Sequence, residues 1–154
     1  MKKILTALIV SSLSGVALAN SCDNAGFDNA SRGNERLRGD IKALSEQYVE
    51  ACSWDYDMPR EKVCSLFTGK LKQLNTINDA PLAKVLSQAE MATDAWYAVH
   101  ENCADKGLKG NADSAFEAYE ESFDAYNNLI KEIDTRYNQS CRQQIEENIS
   151  KYCK

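Results

Sequence analysis

Apolar residues recur at intervals of three and four along most of the chain, the spacing of one face of an α-helix. The period of two that marks a half-buried strand is absent. Leu37, Ile41, Leu44, Tyr48 and Ala51 form a first stripe, with Asn34 as its expected cap. A second helix follows Trp54-Asp55-Tyr56-Asp57, with Pro59 near its first position, where a missing N–H costs nothing. It carries Val63, Leu66, Phe67, Leu71 and Leu74 on one face. A third is expected to be capped by Asn78 or Asp79, with Pro81 in its first turn. It runs through Leu82, Val85, Leu86, Ala89, Ala92, Trp96, Val99 and Cys103 and stops at Gly107. The fourth carries Phe116, Tyr119, Phe123, Tyr126, Ile130, Ile133 and Tyr137, the most regular pattern in the chain, and reads as a buried seam.

Neither Gly nor Pro interrupts residues 111–154, where a single helix would extend about 65 Å. That is far past the other helices, so a break is expected near Asn138-Gln139-Ser140. A terminal helix with Ile145, Ile149 and Tyr152 inward would follow. Residues 20–33, rich in Asn, Ser, Gly and Asp, read as a loop or arm held down through Cys22. The fold expected is all-α: a disulfide-stapled up-down bundle of four to five helices, short loops making successive helices antiparallel neighbours.

The start of the chain changes the picture of where it works. Residues 1–19 have a basic start at Lys2 and Lys3, an apolar middle and Ala17-Leu18-Ala19 at the cleavage positions. That is the layout of a bacterial secretory signal peptide. The apolar stretch is shorter than a membrane span and carries serines. The expectation is a periplasmic or secreted protein without membrane insertion, with residues 20–154 as one helical domain. Removal of the signal leaves 16 basic and 23 acidic residues, a net charge of −7. Nucleic acid and anionic lipid both require basic patches, so a basic protein partner fits this charge better.

Six cysteines remain: Cys22, Cys52, Cys64, Cys103, Cys141 and Cys153. An even count in an exported chain reads as three disulfides. No pair has the C-x-x-C spacing of a redox or zinc motif. In an up-down bundle Cys22 and Cys141 can meet at one end. At the other, Cys52–Cys64 is feasible, and so is Cys52–Cys103 with Cys64–Cys153. Cys141 and Cys153 stand about 18 Å apart along one helix and cannot pair.

Candidate chemistry is sparse. His100 is the one histidine, and no three or four ligands of metal-site spacing accompany it, so no metal is expected. No nucleophile motif, phosphate loop or carboxylate pair with a cleft appears, and the chain does not read as an enzyme or a cofactor protein. Two surfaces suit a protein partner. Trp54, Asp55, Tyr56 and Asp57 fall outside the stripes of both neighbouring helices, and Trp and Tyr are the types that dominate interface hot spots. Glu117, Glu120, Glu121 and Asp124 make an acidic ridge, an arrangement whose mutual repulsion a basic partner would relieve.

Leu74-Asn75, then Leu82, Ala89, Ala95-Trp96 and Cys103, resembles the lysozyme-inhibitor-like domain of small bacterial envelope proteins. The resemblance implies a helical, disulfide-bearing domain that binds and inhibits a cell-wall-degrading enzyme. The expected function is therefore an exported protein that blocks another protein, most readily a peptidoglycan hydrolase, as a lysozyme inhibitor or a toxin-immunity protein. A homodimer is compatible with this. The alternatives are a small-ligand or haem-binding bundle using His100 and the aromatic seam, with Met58 or Met91 as a second iron ligand in the haem case, and a structural envelope or stress protein with no discrete site.

Overall fold

The computed structural model describes residues 21–153, and from Asn24 to Tyr152 these are helical except at residues 52–59, Asp79 and 106–108. The signal peptide expected over residues 1–19 lies outside the described residues. Helix α1 (Asn24–Ala51) starts at Asp23, whose Oδ1 accepts from the Gly26 N–H at 2.9 Å and from the Ser21 hydroxyl at 2.8 Å. These bonds, the Gly26 one foremost, hold the Asp23 carboxyl below its usual range. The segment 20–33 is thus not an arm. Asp23 caps it, Phe27 packs edge-on against Trp96 at 5.8 Å, and Ala30 is fully buried. Asn34, expected as the cap, stands in mid-helix.

Helices α2 (Arg60–Asn78) and α3 (Ala80–Asp105) are separated only by Asp79, whose ψ of −110° interrupts the winding. They form one interrupted rod: α2 packs on the C-terminal helix, while α3 packs on α1 and on the helix that follows it. Asp79 stands at the cap position of α3, but its side chain makes no capping bond. Gly107 ends α3 with φ of 70°, in the left-handed region that favours glycine. The Leu108 N–H reaches back to the Cys103 carbonyl at 3.0 Å and the Gly107 N–H to that of Ala104 at 2.9 Å, a Schellman stop.

Helix α4 (Lys109–Glu132), a π-helical segment (Ile133–Cys141) and α5 (Arg142–Tyr152) follow one another without a gap. The break expected at residues 138–140 is instead a change of winding. Leu129, Ile133, Tyr137, Cys141 and Ile145 are all buried, at intervals of four. In an α-helix each step of four overshoots a turn by about 40°, so this run would leave the core face. The wider turn of i→i+5 bonding drifts the other way and keeps the run inward.

The result is a disulfide-stapled all-α bundle in which five helical pieces lie in three long rods. Cys22 pairs with Cys103, Cys52 with Cys141 and Cys64 with Cys153. Of the pairings left open, Cys64–Cys153 is present. Cys22–Cys141, Cys52–Cys103 and Cys52–Cys64 are not. Because α2 and α3 do not fold back on each other, α1 lies along α3 and its far end reaches the π segment. Its start therefore meets the end of α3, and its end meets Cys141. Lys70 Nζ also donates to the Glu50 carbonyl at 2.6 Å, tying the end of α1 to α2.

Two apolar clusters fill the bundle. One joins the C-terminal half of α1 to α2, the π segment and α5, around Leu44, Tyr48, Leu74 and Ile145. The other joins the start of α1 to α3 and α4, with Ala30, Trp96, Val99, Ala112 and Ala115. Buried Thr93 and Ser122 lie between α3 and α4, their hydroxyls 3.3 Å apart, and Ser122 donates to Asn34 Oδ1 at 3.3 Å. Among the described residues no helix is long and apolar enough to cross a membrane.

Candidate functional site

The face of α4 that meets α3 is built from small residues: Ala112, Ala115 and Ser122, with Leu129 at its end. Small side chains let two helices approach closely, and rings as large as Phe116, Tyr119 and Phe123 do not fit between them. The rings lie along the outer edge of the seam, which corrects the reading of this stripe as core. Phe116 is 37 % exposed and Phe123 44 %, and Tyr97 of α3, at 42 %, stands opposite them. Only the lower part of the stripe, Ile133 and Tyr137, is buried.

These rings touch in sequence. His100 lies 5.0 Å from Phe116, Phe116 5.6 Å from Tyr119, and Tyr119 6.0 Å from Phe123, measured between centroids. Tyr97 closes the group, 5.3 Å from Tyr119 and 5.9 Å from His100. His100 Nδ1 is 2.9 Å from the Ala112 carbonyl, a bond it makes by donating its proton. His100 thus belongs to an aromatic ladder spanning α3 and α4.

Carboxylates border the ladder on both sides. On α3, Glu90, Asp94 and Glu101 share the exposed face of Tyr97 at helical spacing. The charge and hydrogen bond of Glu101 push the Tyr97 phenol above its usual range. On α4, Glu120, Asp113 and Asp124 follow the edge of the ring stripe, while Glu117 stands further round and Glu121 further still. From Glu90 to Asp124 the chain holds nine acidic and two basic residues, so the field over the ladder is negative. Among the described residues none of these carboxylates forms an ion pair.

The second predicted surface lies elsewhere. Residues 52–59 connect α1 to α2 at the end of the bundle where α1 has stopped and α2 continues beside α5. Trp54 packs edge-on against Phe67 at 5.1 Å and against Tyr56 at 6.4 Å. Trp54 is half-buried and Tyr56 84 % exposed. Asp55 Oδ1 accepts from the Asp57 N–H at 3.0 Å, so it closes its own turn; α2 begins at Pro59 without a side-chain cap. Beside Trp54 opens a cleft of about 480 Å3 that reaches across to Tyr152 of α5. The two groups of expected partner-binding residues, Trp54 to Asp57 and Glu117 to Asp124, therefore stand near opposite ends, about 45 Å apart along the rod. The structure does not bring them together.

Neither methionine considered with His100 stands beside it. Met58 lies at the cleft end, and Met91 is about 13 Å from His100 along α3. Among the described residues no three His, Cys, Asp or Glu side chains come together as a metal-binding group. Sequence reasoning missed Tyr97, His100, Phe116, Tyr119 and Phe123 as a surface. The signal was present: Ala112, Ala115 and Ser122 form a rival stripe of small residues on α4. Leu74, Trp96 and Cys103, which carry the resemblance to the lysozyme-inhibitor-like domain, are buried structural residues. No family model matches the chain, and no curated protein or solved structure is significantly similar to it.

Proposed function

We propose that this chain is an exported protein that binds a basic protein partner through the aromatic ladder, and that the partner is a cell-wall hydrolase whose activity it blocks. The observation that carries this reading is the exposure of Phe116, Tyr97 and Phe123 between two rows of carboxylates that have no ion-pair partner of their own among the described residues. A contiguous exposed apolar patch with a polar rim marks an interaction site more often than an accident of packing. Tyr and other aromatic side chains anchor interfaces by burying large, rigid area. Acids around them raise the encounter rate with a cationic partner and set its orientation. Three disulfides suit an oxidising compartment, here the periplasm. Inhibition would be steric: the ladder covers the hydrolase surface beside its substrate groove.

The test is direct. Binding to a basic muramidase such as egg-white lysozyme is measured by calorimetry, alongside clearing of a cell-wall suspension. The wild type should bind and slow clearing, more weakly as salt rises. The double variant Phe116→Ser with Phe123→Ser should lose at least about tenfold in affinity, the scale of one interface hot spot. No binding to any basic hydrolase, or binding untouched by that double variant, overturns the reading.

A further inference from the structure

The cleft beside Trp54 is a by-product of unequal rod lengths, and it is well built. Helix α1 ends at Ala51, so α2 and α5 continue as a pair with no third helix over them. The connection through residues 52–59 covers that pair only in part. Val63 and Phe67 form the floor, 8 % and 4 % exposed, and Met58 is half-buried beside them. Trp54 on one side and Tyr152 on the other are the walls. Cys52–Cys141 anchors the start of the connection to the end of the π segment, and Cys64–Cys153 locks α2 to α5 just below. The cleft's volume, about 480 Å3, lies in the range of small-molecule sites, which are largely pre-formed, apolar inside and polar at a few points.

The charges at its rim differ from those of the rest of the surface. Arg60 and Lys151 line it, both exposed, and among the described residues neither is in an ion pair. The one carboxylate in the lining, Asp55, is turned to the Asp57 N–H. Lys151 Nζ lies 5.0 Å from the centre of the Tyr152 ring, at the edge of the apolar wall. The Asn148 amide also lines the cleft, its Nδ2 turned back to the Gln144 carbonyl, and a neutral sugar would leave both cations without a counter-charge. An amphipathic cation would be repelled at the rim. We propose that the cleft binds a small amphipathic anion: a carboxylate held by Arg60 and Lys151, with an alkyl or aromatic body laid between Trp54 and Tyr152 on Phe67. This site is separate from the ladder and does not depend on what the ladder binds.

The probes are decanoate, decan-1-ol and decylamine, followed through the two tryptophan indole N–H signals in nitrogen-15 NMR spectra of the whole protein. Decanoate should saturably shift the Trp54 signal and leave buried Trp96 in place. The alcohol and the amine should bind about tenfold more weakly, the value of one charge-assisted contact. Arg60→Gln with Lys151→Gln, both exposed positions, should weaken decanoate about tenfold and leave decan-1-ol unchanged. Decylamine binding as tightly as decanoate overturns the proposal. So does decanoate that moves both indoles alike, that moves neither, or that binds the double variant unchanged. Loss of hydrolase binding would bear on the ladder alone, so the two readings fail separately.

Discussion

Tyr48 stacks on Tyr137 with ring centroids 4.5 Å apart and planes 13° from parallel, joining α1 to the π segment. The Tyr48 hydroxyl donates to Asn78 Oδ1 at 2.5 Å, and Asn78 Nδ2 donates to Asn138 Oδ1 at 2.6 Å. Asn78 is the last residue of α2, beside the interruption at Asp79, and Asn138 lies inside the π segment. The two irregular points of the long rods therefore sit at one level, bonded to each other and capped by the same tyrosine.

Burial pushes the Tyr48 phenol up to about 12, with Tyr137 adding to the shift. A tyrosine in the unfolded chain ionises near pH 10. Between these values the unfolded chain has released a proton that the folded one still holds, so stability falls as pH rises through that window. It is fully present below about pH 10. Two units correspond to about 2–3 kcal/mol. Urea unfolding at a series of alkaline pH values should show this loss, and Tyr48→Phe should remove part of the slope. A wild-type stability that stays level through the window contradicts the buried phenol.

The placement of the ring stripe makes a stability prediction independent of any partner. Phe116→Ser and Phe123→Ser should each cost about 1 kcal/mol, the scale of the ring contacts they give up, and less than a core truncation. Ile145→Ala removes a side chain with no exposure and should cost about 2–5 kcal/mol. Ala115→Leu forces bulk between α3 and α4 and should cost about 1–3 kcal/mol. Thermal melts of the four variants decide it. Were the phenylalanine variants to melt far below Ala115→Leu, the rings would have to be core after all.

What could be seen in the sequence follows from what competes at each position. Leu44, Leu74, Val85 and Val99 are large and aliphatic, so hydrophobicity and burial agree and the first three stripes are legible. In α4 they disagree. The rings are the more hydrophobic stripe, but Ala112, Ala115 and Ser122 allow the closer approach, and packing against α3 selects the smaller set. The start of α1 was hidden for a similar reason: Asn, Ser and Gly lower local propensity, while Asp23, Cys22 and the Phe27–Trp96 contact override it. The π segment is written in the run of buried residues at intervals of four from Leu129 to Ile145. Most of the disulfide pairing could not be read, because it depends on Asp79 interrupting a rod instead of starting a hairpin. The cleft follows from the same topology, since it exists only where α1 falls short of α2 and α5.

Two glycines of α1 should respond in opposite directions to alanine. A Cβ on Gly26 would stand 1.8 Å from the backbone oxygen of Ser21, an overlap that only movement of the Cys22 segment could relieve. At Gly39, also helical, nothing lies within 4 Å. Gly26→Ala should therefore destabilise, and Gly39→Ala should stabilise by about 0.5–1 kcal/mol through helix propensity and a less flexible unfolded chain. Denaturant midpoints measure both, and a gain from Gly26→Ala would be inconsistent with the cap at Asp23.

The three disulfides should protect different parts of the bundle. Each joins residues 81 to 89 apart in sequence, so each removes about 4–5 kcal/mol of chain entropy from the unfolded state in the loop-closure picture. In the folded state they are not equivalent. Cys64–Cys153 holds the two-helix end beyond the last residue of α1, where only the 52–59 connection covers α2 and α5. Hydrogen exchange of Cys64→Ser with Cys153→Ser should rise in residues 60–70 and 145–153, while α3 and α4 stay protected, as expected of a local opening. The matching pair Cys22→Ser with Cys103→Ser should instead loosen residues 21–30 and the Phe27–Trp96 contact. The first variant should also lose the Trp54 response to decanoate, because its cleft depends on α2 and α5 staying together. Equal loosening of the whole chain in both variants would mean that the three rods open as one unit, and that the cleft is no more separable than the core above it.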